Sequence, residues 1–254
     1  MSTLTAYASA AARDSAAPAS SNTGLCIFRT DTKAIEVSDG TNYLTYNNDG
    51  VYQTYPSNSH SASFDGSSDY ITGTVSGLNS LSAFSTSCWF RYQGSLGGST
   101  HIPLSGSTWY IWLRNTTTIQ YASQGSNTRD FTISTINDST WYHLATVHDG
   151  TSATLYLNGS SLGTQTVNSV PSTAGNSFNI GRYITNSYYW NGYLDEVALF
   201  NRALTSADVD YIYSSKAYPN LTAFYRLEDD ATDETGNYDL TNNGATFQTS
   251  EKPY

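Results

Sequence analysis

The fold class this sequence predicts is all-β, a two-sheet antiparallel jelly-roll sandwich, and three observations predict it. Ser, Thr, Asn and Gly abound, charged residues make up only 13% of 254, and there are 21 Tyr. That composition suits strands and turns and leaves few residues for the exposed faces of helices. From Ser63 to Tyr213, short strand-like runs follow one another at roughly 8–12-residue spacing with turn residues between them, the pattern of a sandwich or jelly roll. Within that series "TSATLYLNGSSLG" (151–163) puts Ala153, Leu155 and Leu157 on one face and ends in Asn158–Gly159, the dipeptide of a type I′ hairpin turn.

Taken in order, residues 1–23 are Ala/Ser-rich without hydrophobic periodicity, an extended arm that needs another surface to order it. Residues 24–56 form a small β-meander module. Leu25–Phe28 and Ala34–Val37 are short β runs joined by "RTDTK", and "SDG" (38–40) turns into "TNYLTY". A sheet of about three short strands is marginal without a cover for its apolar face. The sandwich is expected over 57–254. "AFSTSCWFRYQG" alternates around Cys88 and Phe90, and "WYIWLRN" (109–115) and "FTISTI" (131–136) follow. "WYHLATVHDG" sets Trp141, His143, Ala145 and Val147 opposite Tyr142, Leu144, Thr146 and His148, and "SFNIGR" and "GYLDEVALFNR" supply further strands. One short helix is expected in "LTSADVDYIYSS", capped by Thr205 or Ser206, with Val209, Ile212 and Tyr213 at helical spacing. After Pro219 come another strand, "LTAFYRLED", an acidic loop and "NYDLTNNGATF".

A net charge of −10 with no basic cluster excludes nucleic acid, whose phosphates a binding protein must neutralise. Cys26 and Cys88 read as two buried thiols, not a disulfide framework. The first residues lack the basic start and apolar run of a signal peptide. No stretch approaches the roughly 20 apolar residues of a membrane helix, so no membrane insertion is expected and the chain reads as a soluble product of a cytoplasm.

"FDGSSDYI" (64–71), "WYHLATVHDGTSATLYLNG" (141–159), "NIGR" (179–182) and "NGYLDEVALFNRALTSADVDYIY" (191–213) together resemble the laminin G-like, concanavalin A-like lectin/glucanase domain, over roughly residues 61–214. The resemblance implies a laminin G-like jelly roll. The strand that usually opens such domains has its counterpart here at the end, in "LTAFYRLEDDATDETGNYDLTNNGATF" (221–247), so residues 221–254 are expected to supply a permuted strand, in this chain or to a neighbour. Residues 13–46 resemble short modules of bacteriophage fibre and capsid-surface proteins. That resemblance implies a virion surface protein, made in the host cytoplasm. Residues 1–50 would attach it to a major capsid or tail protein, and it would be a homo-oligomer, a trimer by the phage analogy.

Asp65, Asp69 and Asp195 are the candidate calcium ligands, since calcium takes 6–8 oxygens and many members of this fold carry one. The competing reading is that Asp65–Gly66 turns a corner and Asp195 caps local backbone donors. The acidic loop Glu228 to Glu234 is a second calcium candidate. For surface glycans, Trp109, Tyr110 and Trp112 are aromatic platforms, but three consecutive aromatics in "NSYYWNG" (186–192) cannot all face one side of a strand. Tyr188, Tyr189 and Trp190 are therefore the candidate glycan-binding residues, and Trp190→Ala is expected to spare the fold. The Glu-x-Asp-x-x-Glu pattern of related laminarinases does not occur, and His60, His101, His143 and His148 are scattered. The chain reads as a non-enzymatic virion structural protein. A lectin-like receptor-binding fibre or adhesin is the alternative, and a glycoside hydrolase the third reading.

Overall fold

The computed structural model describes residues 5–7, 26–29, 34–38, 43–47, 50–55, 58–79, 81–96, 101–123, 127–167, 177–184 and 188–254. The arm over 1–23 lies outside these except for Thr5–Tyr7, as do the "RTDTK" and "SDG" turns but for their terminal residues Arg29 and Ser38. The strands are β1 (Thr5–Tyr7), β2 (Cys26–Arg29), β3 (Ala34–Ser38), β4 (Tyr43–Asn47), β5 (Gly50–Thr54), β6 (Ser61–Asp65) and β7 (Tyr70–Thr74). Then come β8 (Phe84–Tyr92), β9 (His101–Gly106), β10 (Trp109–Asn115), β11 (Thr118–Ser123), β12 (Asn127–Thr132), β13 (Tyr142–His148) and β14 (Ser152–Leu157). The last are β15 (Ser160–Thr166), β16 (Ser177–Ile180), β17 (Asn191–Phe200), β18 (Ala217–Pro219), β19 (Ala223–Tyr225), β20 (Thr241–Asn243) and β21 (Thr246–Gln248).

The chain packs as two compact units, residues 1–57 with 205–220, and 58–204 with 221–254. The expected boundary ran unbroken from 57 to 254; instead the helical segment belongs with the N-terminal unit. The reason is a strand pair: Ala217–Pro219 adds antiparallel to β5 and ends a six-stranded sheet ordered β1-β2-β3-β4-β5-β18. The meander is β2-β3-β4-β5, and β1 joins β2 in parallel, Thr5 opposite Ile27. The helix α1 (Ser206–Asp210) starts at Thr205, whose hydroxyl accepts from Asp208 N while the Asp208 carboxylate accepts from Thr205 N. These reciprocal bonds satisfy two of the donors that a helix start leaves open.

The second unit is the sandwich. A seven-stranded sheet runs β12-β11-β10-β9-β16-β7-β20, and an eight-stranded one runs β15-β14-β13-β8-β17-β6-β21, with β19 also on β17. Period-two alternation sends Phe64, Phe90, Leu144, Leu155 and Leu194 from one sheet, and Ile71, Leu104, Ile111, Ile119 and Phe178 from the other, into one buried core. Cys88 lies in it as a free thiol, and burial pushes its pKa up to about 12. The β14–β15 hairpin turns on Asn158 and Gly159, both at positive φ (49° and 76°), as a type I′ turn requires.

The C-terminal segment contributes three strands. β17 carries a bulge between Asp195 and Ala198 against β8; on its other edge Asn191–Leu194 pair with β6, and Val197–Leu199 pair with Ala223–Tyr225 of β19. β20 then borders β7 in one sheet and β21 borders β6 in the other, with Gly244 and Ala245 between them. Gly244 (φ 96°) turns this corner against the Asp69 carboxylate, 2.2 Å from where a Cβ would sit. At the opposite border side chains join the sheets: Arg129 Nε donates to Thr166 O and Gln165 Nε2 to Asp130 O, both at 2.7 Å.

Candidate functional site

The stretch "FDGSSDYI" carries the chain from β6 in one sheet to β7 in the other. Asp65 accepts from Ser67 N, Ser68 N and Asp69 N at 2.8–3.0 Å and from both serine hydroxyls, and Asp65 N donates to Asp69. Burial would raise the Asp65 pKa, but the donors of Ser67, Ser68 and Asp69 outweigh it and hold the carboxyl far below its usual range. Asp69 is shifted upward, by burial and by the Asp65 charge. Asp195 does not join them. Asn191 is the β17 residue opposite Asp65, so Asp195 lies four residues, about 13 Å, further along. The expected calcium set is thus not assembled, and among the described residues no three His, Cys, Asp or Glu gather as a metal site.

Asp195 belongs to a buried polar cluster. Glu196 takes the bulge conformation at φ 49°, and Asn58 Nδ2 donates to Asp195 Oδ2 (2.7 Å) and Glu196 Oε1 (3.2 Å). Arg226 Nε lies 3.5 Å from Glu196, and its Nη2 donates to Glu228 at 2.7 Å. Glu228 also accepts from Ser59 N, and Asp233 accepts from Phe224 N, Thr235 N, Asn237 N and Tyr238 N. Within the acidic loop Asp230 and Asp233 thereby turn their carboxylates on nearby backbone, and Glu228 is held by Ser59 and Arg226. Burial, then the neighbouring Glu196 charge, pushes the Asp195 carboxyl well above the ordinary range.

The aromatic candidates separate sharply. Residues 181–183 and 188–190 face each other as a narrow ladder: Trp190 N donates to Gly181 O, Arg182 bridges Tyr189, and Tyr183 N donates to Tyr188 O. Trp190 turns inward and is 0% exposed, edge-on to Phe90 (5.9 Å) and His101 (6.0 Å). It is core, not a ligand platform: it lies on the face opposite Tyr189, and Tyr188, at φ 77°, leaves the alternation that would have sent it inward as well. Trp109 is buried too, beside Phe84 and Phe178.

Tyr188, 45% exposed, instead meets the outer side of β10, where Tyr110, Trp112 and Arg114 alternate with the inward Trp109, Ile111 and Leu113. Trp112 stacks on Tyr188 at 6.4 Å and 15°, Tyr188 meets Tyr183 at 6.1 Å, and Tyr183 meets Tyr110 edge-on at 5.2 Å. The Arg114 guanidinium lies over Trp112 at 4.8 Å. Alongside, Arg182 covers Tyr70 at 3.3 Å, and Tyr189 lies 6.5 Å from Tyr70. Two strands from β10, Asp130 accepts from Gln120 Nε2 at 2.6 Å. Burial, then the phenol of Tyr183, raises the Tyr110 pKa; Arg114 opposes that shift and Asp130 adds to it. Tyr110 therefore stays a protonated donor at neutral pH. Tyr183 and Arg114 were missed in the sequence, although strict alternation through "WYIWLRN" already puts Arg114 beside Trp112 and Tyr110.

A two-sheet jelly roll with aromatic rings and hydroxyl donors on one sheet face defines a lectin-like architecture. Residues 65–210 match the laminin G-type model of the concanavalin A-like lectin/glucanases superfamily, and the chain belongs to that superfamily. A provisionally assigned carbohydrate binding protein from Bacteroides ovatus superposes with a TM-score of 0.60 at 15% identity, over 89% of this chain and 70% of that one. The native heptameric SAP-like pentraxin of Limulus polyphemus superposes with 0.58 at 16% identity, over 76% and 95%. At such identities the likeness is one of fold. No curated protein matches the chain significantly in sequence.

Proposed function

We propose that the sandwich is a non-catalytic glycan-binding module whose site is the outer face of the seven-stranded sheet, formed by Tyr110, Trp112, Tyr183 and Tyr188. The observation that carries this reading is the unbroken chain of ring contacts from Tyr110 to Trp112, three of its members half-buried and Tyr188 exposed. Such rings offer flat apolar faces to the C–H face of a pyranose, while their phenols and the nearby amide and carboxylate serve its hydroxyls. The non-catalytic part is supported by Asp195 and Glu196. A hydrolase needs two carboxyl groups flanking the scissile bond, and this adjacent pair is 0% and 2% exposed and engaged by Asn58 and Arg226. The test is a glycan array followed by titration calorimetry. Trp112→Ala should weaken the best ligand at least about tenfold with an unchanged melting temperature; equal binding by the variant would remove this face as the site.

The same reading places the module on a bacteriophage virion, as a structural protein tethered through residues 1–50 to a capsid or tail protein and assembled as a homo-oligomer. Its support is the resemblance of residues 13–46 to phage fibre and capsid-surface modules. Removing residues 1–47 should leave the sandwich folded and the protein absent from purified particles. Incorporation at normal occupancy would move attachment to the sandwich.

A further inference from the structure

Arginine usage singles out one position on this face. Among the described residues, Arg91 pairs with Glu251, Arg129 donates to Thr166 O, Arg182 donates to Asn179, Arg202 donates to Ala203 O, and Arg226 pairs with Glu196 and Glu228. Arg114 is exposed, makes no hydrogen bond or ion pair among them, and is held over the Trp112 ring. This happens in a chain with 21 acidic and 11 basic side chains, where carboxylate partners are plentiful. A planar guanidinium matches a carboxylate or sulfate with two parallel N–H···O bonds. Stacked on an indole, it is partly desolvated and fixed in direction. Asp130, an acidic group of this face, lies two strands away, accepts from Gln120 and makes no ion pair with Arg114.

Resting on the glycan reading above, we infer that the ligand is an acidic saccharide: a carboxylated or sulfated ring stacks on Trp112 and sets its anionic group on Arg114. Arg114 is then the specificity-determining residue. Trp112 supplies affinity that any pyranose can use, and Arg114 supplies the preference for charge.

The test uses the full chain and paired probes: oligogalacturonate against its methyl ester, and dextran sulfate against dextran, titrated at low and high salt. The acidic member of at least one pair should bind about tenfold more tightly at low salt, with the advantage shrinking as salt rises. The two pairs separate carboxylate from sulfate as the preferred group. R114Q, an exposed substitution with an unchanged melting temperature, should abolish the advantage, so that the acidic and neutral members of each pair bind alike. Equal binding of acidic and neutral probes, both lost in Trp112→Ala, would overturn the acidic preference and keep the glycan site. An advantage that survives in R114Q would overturn the role of Arg114. Failure of every saccharide, charged or neutral, would overturn both readings.

Discussion

Trp190 stands two residues from Tyr188, and the two should respond in opposite ways to truncation. The indole of Trp190 is fully buried. An aromatic side chain of this kind buries roughly 150–250 Å², which at about 25 cal/mol per Å² amounts to about 4–6 kcal/mol. Alanine retains a small part of that, while the cavity it leaves adds to the loss, so Trp190→Ala should cost about 3–5 kcal/mol. The edge-on contacts with Phe90 and His101 lie within that figure. A second variant separates packing from polarity. The indole Nε1 has no hydrogen-bond acceptor among the described residues. Trp190→Phe therefore sheds an unsatisfied donor while keeping most of the ring, and should cost under about 1.5 kcal/mol. Tyr188→Ala, at an exposed position, should cost under about 1 kcal/mol. Urea unfolding followed by near-UV circular dichroism ranks all three. A Trp190→Ala midpoint within error of the parent, or a Trp190→Phe loss as large as that of Trp190→Ala, would refute the packing account.

Asp195 binds its proton more tightly in the folded state than the ordinary value of 3.8 allows, so its contribution to stability is complete below that pH and is lost as pH rises through the raised pKa. Asp195→Asn keeps an acceptor for Asn58 and should flatten the fall in melting temperature toward neutral pH; scanning calorimetry giving a profile parallel to the parent would contradict this. Excess calcium or EDTA should move the melting temperature by less than about 1 °C, since ligand binding stabilises only where a site exists and Asp65 is saturated by its own turn. Gly192 sits at φ 132° with Arg91 O 2.2 Å from where a Cβ would be; Gly192→Ala should cost more than about 3 kcal/mol, read as lost soluble yield or a lowered unfolding midpoint.

The sandwich was legible because its strands are half-buried: alternation in "WYIWLRN" and "AFSTSCWFRYQG" reports the two faces directly, and Asn-Gly announces the hairpin. Composition and alternation did not say which neighbour each strand takes. The helix was visible from its cap and spacing, but its place in the N-terminal unit depends on β18 finding β5, a pairing 163 residues apart at Ala217 and Thr54. At the site, adjacency misled. "YYW" is one cluster in sequence and two environments in space, since Trp190 enters the core and Tyr188 crosses to Trp112, 76 positions earlier. The calcium set failed for the same reason: which Asp residues share a neighbourhood is decided by strand register, and register is a tertiary quantity.

The two units interleave along the chain, each opening before the other closes. A ribosome that has made residue 204 has therefore finished neither. β5 still lacks β18, and the second half of β17 still lacks β19, so both nascent sheets carry open edges there until residues 217–225 appear. Open edges invite pairing with another chain, and on a crowded polysome the nearest candidates are identical copies at the same stage. Slowed elongation over residues 205–248 should then raise the insoluble fraction more than an equal delay placed before residue 58.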